Sequence, residues 1–145
     1  MIRVKHSIVV ERPLQEVFEY LTTPEKTPEW QESVIESAVI TEGPIGSDTK
    51  VKVSRRFMGQ SITLILDTTE FVPNERFSFK TESGPVPLEG MVEVEPKELG
   101  TAVTFTVSGD PGGVFSLAGP FIQQIVRKET VENAKRLKTI LERAK

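Results

Sequence analysis

The sequence predicts an α+β protein in which a strand and a helix precede an antiparallel meander, and a long helix ends the fold. Three observations carry this prediction. A strand pattern meets a helix pattern between Ser7 and Trp30, a period of two follows for about eighty residues, and a helical period returns from Val114 onward. Gly, Pro and Asn interrupt the central stretch at intervals, as they do between the strands of a meander.

The first strand and helix lie in the segment SIVVERPLQEVFEYLTTPEKTPEW. Apolar residues alternate around Ile8 and Val10, as in a half-buried strand. Pro13 suits the first turn of the following helix, because its missing N–H would be unpaired there anyway. The stretch from Thr22 to Pro28 is predicted to end this helix and lead to Trp30, the only tryptophan. The helix face that should pack on the core has the spacing i, i+3, i+4, i+7 and consists of Leu14, Val17, Phe18 and Leu21.

Six strands are predicted in the central stretch, separated by short turns rich in Gly, Pro and Asn. Because short connections make successive strands pair antiparallel, these strands should form a meander. The predicted bounds are Glu32–Glu42, Thr49–Met58, Gln60–Val72, Arg76–Glu82, Leu88–Glu95 and Thr101–Gly109.

The C-terminal segment has a helical pattern whose apolar surface drifts around the axis, so its first and last turns should face different neighbours. Pro120 allows two interpretations. It occupies the first turn after Gly119, preceded by a separate short turn at Val114–Ala118, or it kinks a helix that already begins near Val114.

Composition excludes several classes of function. A length of 145 residues fits one domain, and a net charge of −3 gives no electrostatic reason to expect nucleic acid or an anionic membrane as partner. Without cysteine there is no disulfide, thiolate nucleophile or Cys-type zinc site, which favours the cytoplasm. No segment has the pattern of a signal peptide or a membrane span. We therefore expect a soluble, unprocessed protein without stable membrane insertion.

Four sequence segments together resemble one superfamily: SIVVERPLQEVFEYL, the downstream PEW, FVPNERFSF and GTAVTFTV. In this order they are similar to the START-like, or Bet v 1-like (SRPBCC), superfamily, in particular its bacterial polyketide cyclase/dehydrase and lipid transport branch. The resemblance covers nearly the whole chain and implies a single START-like domain, residues 1–145. It also implies a helix-grip fold of order β-α-α-β6-α. In that fold a curved antiparallel sheet of about seven strands wraps around a long C-terminal helix, with a cavity between them.

A sheet curled around one helix leaves more volume than the helix fills, so inward residues either line a cavity or form an ordinary core. Both outcomes are open for the aromatic residues, since burial in a core is their commoner fate. The expected ligand-binding residues are Phe18, Trp30, Arg55, Phe57, Phe77, Phe79, Phe105, Phe115, Leu117, Phe121 and Ile125.

Two polar residues interrupt the inward pattern and are weak catalytic candidates. Arg55 shares the face of Val53 and Phe57, where an unpaired guanidinium would be costly. It must reach the rim, pair with a carboxylate, or contact an anionic or carbonyl-bearing ligand group, unless a bulge near Gly59 changes the parity. His6, the only histidine, lies on the inward face and has the chemistry of a general base, although a structural role is commoner.

The leading hypothesis is binding of a hydrophobic small molecule, lipid-like or polyketide-like, for transport or sequestration. A competing hypothesis is a polyketide cyclase or dehydratase that works without metal, and a third is a cochaperone or assembly factor. No cofactor or metal site is expected, because one His, no Cys and scattered carboxylates offer no ligand cluster. An exposed apolar patch would favour the interaction protein, whereas an enclosed cavity would favour ligand binding.

Overall fold

The computed structural model describes residues 2–57, 59–83, 87–109 and 119–143. The elements follow the predicted order β-α-α-β6-α, with a short 3₁₀ helix at Pro24–Lys26 between the first two α-helices. They are β1 (Ile2–Val10), α1 (Leu14–Leu21), α2 (Thr27–Trp30), β2 (Val34–Val39), β3 (Lys50–Phe57), β4 (Gln60–Val72), β5 (Arg76–Ser83), β6 (Leu88–Lys97), β7 (Gly100–Gly109) and α3 (Gly119–Arg143).

All seven strands form one antiparallel sheet in the order β1-β7-β6-β5-β4-β3-β2. The strands β2 to β7 are a meander, as predicted, and β1 pairs with β7 so that His6 lies opposite Phe105. The register shifts by one residue at Ile35 in β2 and at Thr69 in β4. Such bulges bend and twist a strand, which helps the sheet curve around α3. The helix-grip prediction is confirmed.

The bounds of β4 agree with the prediction, whereas β2 is shorter at both ends than the predicted Glu32–Glu42. It ends early because the chain turns: Gly43 has φ of +88°. The backbone N–H of Gly46 donates to Thr49 Oγ1 at 2.8 Å. Pro13 lies one residue before α1 rather than in its first turn, and its carbonyl accepts from the N–H of Val17 at 3.0 Å.

Pro120 is the second residue of α3 as the structure has it. The short turn predicted at Val114–Ala118 lies outside the described residues, so the choice between the two interpretations of Pro120 stays open.

Two groups of buried residues hold α3 against the sheet. Near its end, Leu137 and Leu141 pack with Phe18 of α1 and with Val103 of β7. Near its beginning, Ile122 and Val126 pack with Ile2 and Val4 of β1. Because the apolar surface drifts around α3, its first turns pack against β1 and its last turns pack against α1 and β7, as the sequence predicted. The middle of α3 faces a cavity instead.

Candidate functional site

A cavity of about 260 Å³ lies between the inner face of the sheet, α2 and the middle of α3. Alternation along β3, β4 and β5 directs every second side chain towards it. Its apolar wall includes Trp30, Val51, Val53, Phe57, Ile62, Leu64, Leu66, Phe71, Phe77, Phe79, Phe105 and Ile125.

The aromatic side of the wall is held by ring contacts. Phe77 and Phe79 stack with ring centroids 6.4 Å apart. Trp30 packs on Phe105 with centroids 5.8 Å apart. Phe18 stands behind the wall, edge-on to Phe71 at 5.7 Å and to Phe77 at 6.0 Å. Edge-on and offset contacts are the favoured aromatic geometries, so the rings have defined positions around the cavity.

Gly90 allows the Phe79 ring to lie where it does. The two residues are directly opposite on β5 and β6. A Cβ atom at position 90 would lie only 2.4 Å from Phe79 Cζ. The missing side chain therefore leaves the space that this ring occupies.

A polar corner interrupts the apolar wall. In it, Ser37, Arg55 and Glu129 line the cavity, and Ser33 bonds to Arg55 and Glu129 without lining the cavity itself. Arg55 Nη2 donates to Glu129 Oε2 at 2.8 Å and to Ser33 Oγ at 3.0 Å. Ser33 Oγ in turn donates to Glu129 Oε1 at 3.2 Å. The side chains of Arg55 and Glu129 are 21% and 34% exposed, so the pair is partly shielded from water. Of the alternatives for Arg55, the structure shows pairing with a carboxylate.

Two polar atoms of this corner have no hydrogen-bond partner. Among the described residues, the buried side-chain nitrogens and oxygens without a partner are Arg55 Nε and Ser37 Oγ, and both residues line the cavity. A buried donor left without a partner is destabilising by about 1–3 kcal/mol. The hydrogen bonding of this corner is therefore incomplete, and a polar ligand group that shifts these side chains slightly would supply the missing partners.

A hydrogen bond near the cavity holds α2 to α1. Tyr20 Oη donates to Glu29 Oε1 at 2.8 Å, and Lys26 Nζ lies 5.5 Å from the centre of the tyrosine ring. Burial, and then the bond to Glu29, raises the pKa of Tyr20 above its ordinary value. The phenol therefore stays protonated at neutral pH and keeps this bond, which helps to position Trp30 at the end of α2.

Seven of the predicted site residues line the cavity: Trp30, Arg55, Phe57, Phe77, Phe79, Phe105 and Ile125. Strand parity placed Arg55 and Phe57 on the inner face because the β3–β4 ladder has no register shift, from Lys50 opposite Asp67 to Phe57 opposite Gln60. Phe115 and Leu117 lie outside the described residues.

Three candidates lie elsewhere. Phe121 is 56% exposed and does not line the cavity, although it shares a side of α3 with Ile125, because it lies one helical turn before Ile125. Phe18 is buried in the core behind the cavity wall rather than in it. His6 is on the inner face and half-buried, as its parity predicts, but β1 is the edge strand against which α3 packs, and His6 does not line the cavity.

The sequence interpretation missed Phe71, Ser37 and Glu129. The bulges at Thr69 and Ile35 bring Phe71 and Ser37 to the inner face, and nothing in the local sequence indicated either bulge. Glu129 could have been found, because it follows Ile125 and Val126 by four and three residues and therefore shares their helix face.

The described residues contain no group of three or more His, Cys, Asp or Glu side chains arranged to hold a metal ion. Within the same part of the chain, no helix combines the length and the apolar character needed to cross a bilayer.

The sheet gripping α3 and the cavity between them define a START-like, helix-grip protein. The chain belongs to the family described as polyketide cyclase / dehydrase and lipid transport, whose family model matches residues 1–142. No curated protein sequence matches the chain.

Solved structures share this fold at low sequence identity. A START superfamily protein from Mycobacterium smegmatis is 15% identical, with a TM-score of 0.83 over 99% of both chains. TTHA0849 from Thermus thermophilus is 18% identical, with a TM-score of 0.81 over 94% of both chains. The di-domain ARO/CYC BexL from the BE-7585A biosynthetic pathway is 21% identical, with a TM-score of 0.78 over 98% of this chain and 47% of that one. At these identities the likeness shows the fold alone.

Proposed function

We propose that the protein binds one hydrophobic small molecule in the cavity between the sheet and α3, for transport or sequestration. The observation that carries this proposal is an apolar cavity with two unpaired polar atoms, Arg55 Nε and Ser37 Oγ, at one corner. Apolar walls with a few convergent polar groups are the usual form of a small-molecule site. The apolar body of the ligand would contact the phenylalanines, and its polar end would bond to the corner.

The size of the cavity supports a compact ligand. Its volume of about 260 Å³ lies just below the range of roughly 300–1,000 Å³ that is common for small-molecule sites. A single aliphatic chain or a molecule of a few fused rings suits this volume better than a lipid with two acyl chains. Lipid-like and polyketide-like ligands both remain within the proposal. We assign the binding to the cytoplasm because the chain has no cysteine.

A cyclase or dehydratase activity is the second candidate, and the observation that favours it is the Glu129 carboxylate in the cavity lining. A carboxylate can take a proton from a bound substrate, whereas the guanidinium of Arg55 stays protonated and can only donate hydrogen bonds. This activity would be favoured if the wild-type protein converts a linear poly-β-carbonyl compound to a product that is lighter by one water, and if Glu129→Gln does not.

The interaction-protein hypothesis lacks a comparable observation. Exposed large apolar side chains in the described residues are spread over several parts of the fold: Val9 on β1, Ile35 on β2, Ile40 and Ile45 between β2 and β3, Leu99 between β6 and β7, and Phe121 on α3. Apolar residues scattered singly over a surface are ordinary.

Titration with the neutral apolar dye N-phenylnaphthylamine tests the binding proposal. Trp30, the only tryptophan, lines the cavity, so dye that enters should quench its emission and itself fluoresce, with saturation at one site. Ile125→Arg places a charge in the apolar volume and should abolish this response. Phe121→Arg, at an exposed position one turn earlier on the same helix, is the matched control and should bind as the wild type does.

The folding of each variant is checked by circular dichroism, and Ile125→Phe provides an uncharged way to fill part of the same volume without adding a second tryptophan. A folded wild-type protein that gives no saturable response with this dye or with aliphatic ketones would contradict the proposal. Equal loss of binding in the two arginine variants would show that the binding site is not this cavity.

A further inference from the structure

The polar corner that would hold the polar end of a ligand contains two charged side chains. Arg55 and Glu129 carry opposite charges and are joined at 2.8 Å, so the corner has no net charge. Arg55 extends from β3 and Glu129 from α3, so the guanidinium lies between its own strand and the carboxylate. Both residues line the cavity. A ligand group that meets Arg55 therefore also meets the field of Glu129.

The hydrogen bonds of this corner determine what a ligand still finds there. Glu129 and Ser33 already accept from Nη2 of Arg55, whereas Nε has no partner. A ligand carboxylate usually binds an arginine through two parallel N–H bonds. Here both N–H groups of Nη2, the nitrogen that every such parallel pair includes, are already used by Glu129 and Ser33. The donors that remain, on Nε and Nη1, offer a single bond to one acceptor oxygen, and the hydroxyl of Ser37 is a further unpaired group on the same face.

We infer that Glu129 makes the cavity selective for neutral ligands that present a single acceptor oxygen, such as a ketone or an alcohol, over carboxylates of the same size. This inference rests on the proposed binding function and names its ligand class. A carboxylate beside Arg55 would place a second negative charge next to Glu129 at a partly shielded site, where like charges repel more than they do in bulk water. A ketone accepts from Arg55 without that repulsion.

Methyl nonyl ketone and decanoate test the inference directly. They share the same nonyl chain and carbonyl group, and the ketone carries a methyl group where decanoate carries its second carboxylate oxygen. Their dissociation constants are measured by displacement of N-phenylnaphthylamine at neutral pH. The wild-type protein should bind the ketone about tenfold more tightly than decanoate, or more. Glu129→Gln keeps the size and an acceptor for Arg55 but removes the charge. In this variant decanoate should bind about tenfold more tightly than in the wild type, with little change for the ketone.

Glu132→Gln is the matched control, because Glu132 is exposed on the same helix and its loss changes the net charge by the same amount. Its ketone-to-decanoate ratio should equal that of the wild type. The comparison of the two ligands on the wild-type protein requires no substitution, so equal affinities there would overturn the inference even where Glu129→Gln does not fold. Equal affinities for ketone and decanoate, or equal ratios in the two glutamine variants, would overturn the inference and leave the binding function standing. Binding of neither ligand nor dye to the folded wild-type protein would overturn both.

Discussion

A single glycine fixes part of the cavity surface. Gly90 on β6 lies under the ring of Phe79 on the neighbouring strand, and a Cβ atom added there would come within 2.4 Å of Phe79 Cζ. Because that atom is the far end of a side chain, the ring can move, and the space open to it is the cavity. The shape of the binding volume thus depends on a residue that has no side chain of its own.

We predict that Gly90→Ala keeps the fold but weakens ligand binding. Overpacking of this kind destabilises by about 1–3 kcal/mol, because neighbouring side chains must leave their preferred positions. The displaced Phe79 ring should reduce the affinity for N-phenylnaphthylamine by about tenfold, measured by titration. Gly46→Ala is the control, since a Cβ atom there meets nothing within 4 Å. Equal affinities in the two variants would show that the ring does not move into the cavity.

At the scale of elements, α1 contributes to the site mainly from behind the cavity wall, and its last residue, Leu21, reaches the lining. Its buried face presents Val17, Phe18 and Leu21 to the core, and Phe18 contacts the two cavity-lining rings Phe71 and Phe77 edge-on. The helix thus supports the aromatic wall from behind. Loss of that support should lower the stability of the whole domain, because the same residue joins α1 to the sheet and to the end of α3.

Phe18→Ala should therefore destabilise the protein by about 3–5 kcal/mol, as expected for removal of a fully buried phenylalanine ring. Unfolding in denaturant, followed by circular dichroism, measures this change through the midpoint. Glu19→Ala on the exposed face of the same helix is the control, with an expected change within about 0.5 kcal/mol. A midpoint for Phe18→Ala equal to that of the control would mean that α1 does not anchor the wall.

The strands also show which inward-facing residues can be predicted from sequence patterns. Alternation along β3 was enough to place Arg55 and Phe57 on the inner face, because that strand has no irregularity. The bulges at Ile35 and Thr69 insert one extra residue each, and the alternation of inward and outward residues does not predict such an insertion. The partner of Arg55 lies 74 residues away on α3, so only the fold brings the two charges together.

On α3 the error concerned position along the helix rather than the helix face. Phe121 and Ile125 are four residues apart and share one side of the helix, but Phe121 lies one turn nearer its beginning. A helical pattern predicts which side faces the sheet, and it does not predict how far along the helix the cavity extends. The structure resolves this, with Ile125 at the cavity and Phe121 exposed.

At the scale of the whole molecule, the fold and the site share residues. Two groups of core residues attach α3 to the sheet, and the cavity lies along the middle of the helix. Trp30, Phe105 and Val126 belong to these groups and also line the cavity, so the same side chains stabilise the fold and shape the binding volume.

The central claim is that a hydrophobic ligand occupies this cavity, and methyl NMR of isoleucine-labelled protein tests it most directly. During titration with methyl nonyl ketone, the δ1 methyl signals of Ile62 and Ile125, which line the cavity, should shift with one common saturation curve. The signals of Ile35 and Ile40, which are exposed, should stay in place. Shifts confined to Ile35 and Ile40, or no saturable shift at Ile62 and Ile125 in the folded protein, would contradict the claim.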